Sequence, residues 1–129
     1  MRTTMTDDDA AVLAELTARE PLFHHPELGT GRAVFEAMTV PDFWEVGASG
    51  TVYEREVIWS TLQERYAADE PDVWETEGFA LRELAAGVYL LTYLLRQGDR
   101  LTRRATVWER SAHGWRVVYH QGTVVSHAT

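Results

Sequence analysis

The chain has 129 residues, no cysteine and a formal net charge of −8 at neutral pH. The missing cysteine excludes disulfides, thiolate nucleophiles and cysteine-ligated zinc. The negative balance argues against a nucleic-acid partner, which needs Lys and Arg clustered on one face. Arginines do gather between Arg96 and Arg110, which leaves room for a small local anion site. No apolar run approaches the ~20 residues that span a bilayer, and the start MRTTMTDDD lacks a signal-peptide core. A single domain over residues 1–129, cytoplasmic and without a membrane partner, is the expectation.

Thr6-Asp7-Asp8-Asp9 reads as a helix start, with Thr6 as N-cap and acids at the positive end of the dipole. Val12, Leu13 and Leu16 make an apolar stripe, so a first helix runs to about Arg19, before Pro21. A loop region with His24-His25 follows; adjacent histidines without a helically spaced acid read as surface residues rather than metal ligands. A short second helix is predicted from about Thr30 to Met38.

Asp42-Phe43-Trp44-Glu45-Val46 then reads as a strand, and Gly47-Ala48-Ser49-Gly50 as a tight turn in which Gly50 takes a positive φ. From about Glu54 the apolar spacing becomes helical, through Val57, Ile58, Thr61, Leu62 and Tyr66. Four strand-like runs complete the chain: Val73 to Leu84, Val88 to Gln97, Leu101 to Ser111 and Trp115 to Val125. Ala86-Gly87, Gly98-Asp99 and His113-Gly114 mark the hairpins between them. The fold class is therefore α+β: a cone-shaped, curved sheet, mixed or antiparallel, of about five strands, packed with three helices from the N-terminal half. The open end of such a cone is a natural pocket.

The run Asp42-Phe43-Trp44-Glu45-Val46-Gly47-Ala48-Ser49-Gly50 resembles a D-F-x-E-x-G-x-x-G signature in an uncharacterised branch of the nuclear-transport-factor-2-like superfamily. The ending Val107-Trp108-Glu109-Arg110 … Gly114-Trp115-Arg116-Val117-Val118-Tyr119-His120-Gln121-Gly122-Thr123 resembles that branch's final hairpin, including its H-Q-G-T motif. The resemblance implies the fold, but relatives include isomerases, dehydratases, cyclases and non-catalytic association domains, so it implies no single activity. In ketosteroid isomerases the base is a carboxylate just before a proline at the end of the first strand. Here Gly47 takes the proline place, Val46 precedes it, and Glu45 stands one residue away.

Counting outward from a two-residue His113-Gly114 turn puts Thr106, Trp108, Arg110, Val117, Tyr119 and Gln121 on one face of the last hairpin. This aromatic and hydrogen-bonding set is assigned to the pocket, joined by Trp44 and Tyr93. Each of these aromatics also has a plain reading as core packing. Arg55 is a candidate clamp on a ligand, although a solvated charge is the commoner use. Val107, Val118 and His120 fall on the other face, which is expected to pair two copies of the chain as a homodimer through Val107, Val118 and Leu90 or Leu94. Glu45 either hydrogen-bonds the turn amides from Gly47 to Gly50 or, with His120, serves as an acid–base group.

Two functions remain open on the sequence. One is a pocket that binds a small hydrophobic or anionic ligand without chemistry. The other is a lyase, isomerase or cyclase that uses Glu45 or His120 as general base and needs neither metal nor cofactor. A buried carboxylate within hydrogen-bond reach of His120 or of a tyrosine separates them in favour of the enzyme.

Overall fold

A computed structural model of the chain describes residues 5–68 and 70–126. Helix α1 (Asp7–Thr17) starts as expected, with the Thr6 side chain accepting from the Asp9 amide and Asp9 accepting in return from the Thr6 amide. Helix α2 spans Arg32–Met38 and α3 spans Arg55–Ala68. The strands are β1 (Thr39–Val46), β2 (Val52–Glu54), β3 (Glu75–Ala85), β4 (Val88–Gln97), β5 (Arg100–Ser111) and β6 (Gly114–Val124). They form one sheet of six, in the order β2-β1-β6-β5-β4-β3, with β1 parallel to β6 and the other pairs antiparallel. The fold class is the expected one, α+β with three helices on a curved sheet. The additional strand is β2, three residues squeezed between the glycine turn and α3 and too short to show a period of two.

That turn is closed by two backbone bonds, from Gly47 N–H to the Thr51 carbonyl and from Gly50 N–H to the Gly47 carbonyl, each 2.9 Å. Gly50 has φ +90, as expected, and a Cβ there would meet nothing within 4 Å, so conformation alone demands the glycine. Gly50→Ala is therefore expected to cost about 1 kcal/mol or more. A variant that melts with the parent would show that the residue needs no special backbone.

The helices cover one face of the sheet, and the core lies between. Along β4 every second residue, Tyr89, Leu91, Tyr93 and Leu95, is buried towards the helices. On β5 the same face carries Thr102, Thr106 and Trp108. The last strand does not keep a single phase. Trp108 pairs with Val117, but its neighbour Val107 pairs with Tyr119, so Val118 is an extra residue, a β-bulge. Before the bulge Trp115 and Val117 are buried; after it His120 and Gly122 are. Tyr119 and Gln121 consequently lie on the outer face, and His120 lies inside. The turn itself falls at Ala112-His113, with Ser111 opposite Gly114, one residue before the expected His113-Gly114. The pairing moves by two residues and keeps its parity, so the straight-hairpin count is right for Trp108, Thr106 and Val117, and the bulge inverts it for Tyr119, Gln121 and His120.

Candidate functional site

One cross-strand row on the inner face collects the chemistry. Tyr53 on β2 pairs with Glu45 on β1, Glu45 with His120 on β6, and His120 with Thr106 on β5. Residues directly opposite in neighbouring strands stand close enough for their side chains to touch. Accordingly His120 Nδ1 and Glu45 Oε1 are 2.6 Å apart. His120 is 2% exposed, and its Nε2 has no hydrogen-bond partner among the described residues. Nor has the buried hydroxyl of Thr106, the next side chain in the row. Glu45 is thus engaged by His120, and the Gly47 and Gly50 amides of the glycine turn bond to backbone carbonyls instead.

Tyr53, Glu45, His120 and Arg104 form the sheet-side wall of a partly open cavity of about 700 Å³. Leu22, Phe23, Ile58, Leu62 and Tyr66 form an apolar wall opposite. Phe23 has φ 67, a left-handed conformation that a non-glycine residue adopts only when its surroundings hold it there. They do so here through its carbonyl, which accepts from the Arg65 guanidinium.

His24 also lines this cavity, which corrects the surface-loop reading. Its Nδ1 lies 2.7 Å from Asp72 Oδ2, and its ring is flanked by Arg65. Burial first, then the charge of Arg65 from α3, holds its pKa below the ordinary 6.5, with a smaller push the same way from Arg104 on β5. The opposing pull of Asp72 is outweighed. The unfolded chain therefore binds this proton at higher pH than the folded chain does. Stability should fall as the pH drops from about 6.5 through the folded-state value. Comparing urea midpoints near pH 7 and near pH 5 tests this: His24→Gln should lose less stability on acidification than the parent. An equal loss in both would place the acid sensitivity elsewhere.

A buried carboxylate outside this cavity, unnoticed in the sequence, is Glu20, 1% exposed just after α1. Tyr93 Oη donates to its Oε1 at 2.7 Å and Trp108 Nε1 donates to its Oε2 at 3.0 Å. Burial and then the Glu20 carboxylate push the Tyr93 phenol pKa up. Tyr93 and Trp108 thus face inward as expected, but they are core residues engaged by Glu20 and do not line the main cavity. The only advance signal for Glu20 was its place beside Pro21 at the end of a helix.

The other expected pocket residues also lie elsewhere. Trp44 is 42% exposed on the outer face, its ring 4.8 Å from that of Tyr119. Tyr119 donates its hydroxyl to Gln121, and Gln121 lines a groove of about 580 Å³ on that outer face. Arg110 sits over the Trp115 ring at 4.9 Å near α1. Arg55 donates to the Thr39 hydroxyl at 3.0 Å and to the Glu36 and Thr39 carbonyls, tying α3 to the junction of α2 and β1. Of the sequence candidates, the cavity collects Glu45 and His120. It adds Arg104, Tyr53, His24 and Asp72, which sequence reasoning passed over or dismissed. Among the described residues no three His, Asp or Glu side chains converge as metal ligands, and no helix is long and apolar enough to cross a membrane.

No protein-family model matches the chain, and no curated protein matches it. Solved structures do. An NTF2-like protein of unknown function from Silicibacter pomeroyi is 14% identical with a TM-score of 0.65, covering 90% of this chain and 98% of its own. A protein of unknown function from Pectobacterium atrosepticum is 21% identical with a TM-score of 0.66, over 95% of this chain and 100% of its own. A putative calcium/calmodulin-dependent kinase II association domain from Exiguobacterium sibiricum is 14% identical with a TM-score of 0.65, over 98% and 100%. At such identities the likeness speaks for architecture alone: this chain has the NTF2-like fold.

Proposed function

We propose that the cavity binds a small molecule and moves a proton on it without a cofactor, as a lyase or isomerase does. The observation that carries the reading is the state of His120. Glu45 holds one ring nitrogen, and the other is buried, without a partner among the described residues, in a residue of the cavity wall. A carboxylate that accepts from Nδ1–H fixes the tautomer with Nε2 as the free base. Nε2 would take a proton from carbon next to a carbonyl, and the Glu45 charge would stabilise the imidazolium that forms. The proton then returns to another carbon, in an isomerase, or the electron pair expels a group from the β-carbon, in a lyase. Incubation with a panel of small ketones and keto acids in D₂O tests this, with carbon-bound deuterium read by NMR. Exchange should depend on His120. A parent and a His120→Ala variant that exchange every substrate equally would remove the proposal.

A binding module without chemistry is the second reading, supported by the likeness to a putative association domain. In either case a second copy of the chain is the proposed partner of the outer face. Leu90, Leu94 and Val107 are partly exposed there, beside Trp44. Val118, expected in that patch, packs instead on the core at the bulge. Glu109 and Arg116 are cross-strand partners within one chain. A largely apolar interface should withstand salt. Light scattering at micromolar concentration should give twice 14.7 kDa, in low and high salt alike; a monomer mass would refute it.

A further inference from the structure

The inner wall of the cavity carries a guanidinium that the proton-transfer reading leaves unused. Arg104 lies on β5 opposite Gly122 of β6, and Gly122 is two residues from His120 on the same face. Two residues along a strand span about 7 Å, so the two side chains are diagonal neighbours on one wall. Gly122 makes the space: a Cβ there would lie 3.3 Å from Arg104 Nε and 3.4 Å from its Cζ. The guanidinium stem thus rests against bare backbone. Its Nε donates to the Thr102 hydroxyl at 2.9 Å, which fixes the plane of the fork. Among the described residues no carboxylate lies within ion-pair distance of Arg104, although burial opposes its charge. A guanidinium held in a cavity wall with its fork oriented, and with Glu45 and Glu20 acting on it only from beyond ion-pair distance, is built to receive a planar anion in two parallel hydrogen bonds.

We infer that Arg104 is the anchor of a carboxylate-bearing ligand, held with its carboxylate on the guanidinium and its apolar body against Ile58 and Leu62. This inference names the substrate class of the site proposed above and rests on that reading. The carbon next to the anchored group would lie on the His120 side of the wall. A neutral ligand of the same shape would leave the guanidinium desolvated and unpaired, so discrimination against it follows from burial.

Calorimetry with benzoate and benzamide, which share a shape and differ in charge, tests the anchor directly. The parent should bind benzoate at least about tenfold more tightly than benzamide. Arg104→Gln should lose that preference, and Arg104→Lys should keep part of it, since the charge remains but the fork is gone. Gly122→Ala, which crowds the guanidinium without removing it, should weaken benzoate and leave benzamide unchanged. His120→Ala should bind benzoate within a few-fold of the parent, so a failed proton-transfer reading leaves this result standing. Equal affinity for the two probes, an Arg104→Gln variant as selective as the parent, or no benzoate binding at millimolar concentration would each overturn the assignment.

Discussion

Replacing Glu20 by alanine is expected to destabilise the fold by about 3–6 kcal/mol, among the largest effects of any single substitution in this chain. Its two carboxylate oxygens are the acceptors for the Tyr93 hydroxyl and the Trp108 indole, and all three side chains are 3% exposed or less. Removing the carboxylate leaves two buried donors unpaired, at about 1–3 kcal/mol each, and opens a void besides. A domain of this size is stable by only about 5–15 kcal/mol, so the alanine variant stands near the edge of folding. Glu20→Gln is the measurable companion. It keeps the volume but sets an amide donor against one of the two donors, for an expected loss of about 1–3 kcal/mol. Urea unfolding of Glu20→Gln reads the difference. A variant as stable as the parent would mean that the buried carboxylate does not hold the end of α1 to β4 and β5.

Turnover should be most sensitive to the pair on the cavity wall. His120→Ala removes the proposed base and is expected to slow exchange by about 10²–10⁴-fold. Glu45→Gln leaves the imidazole in place but takes away the charge that stabilises imidazolium and the acceptor that fixes its tautomer. Its loss should fall mainly in kcat with KM little changed, because the interaction strengthens as positive charge develops on the ring. Trp44→Ala and Gln121→Ala, on the outer face, should leave turnover near that of the parent. If Glu45→Gln matched the parent in kcat while His120→Ala did not, the pair would be a structural contact and the base would act alone.

Much of the architecture was legible from the residues in order. The Thr6 cap, the helical spacing from Val57 to Tyr66, the positive φ at Gly50 and the hairpin turns at Ala86-Gly87 and Gly98-Asp99 are local devices. Each depends on a few neighbouring residues and so survives in a linear reading. The sixth strand was not legible, because β2 is three residues long and only its pairing with β1 makes it a strand.

The site divides along the same physical line. By itself the sequence singled out Glu45 and His120 as acid–base candidates, a cavity under a curled sheet with three helices, and a gathering of arginines between Arg96 and Arg110. Tertiary structure alone decided which side chains reach that cavity. The bulge at Val118 could not be read where Val117 and Val118 are both apolar, since either fits the core and the alternation carries no phase. One extra residue then exchanged His120 for Tyr119 and Gln121, bringing the imidazole onto Glu45 from 75 positions away. Glu20, Tyr93 and Trp108 meet over separations of 73 and 88 residues. Contacts of that range are set by packing and strand pairing, which no local pattern encodes.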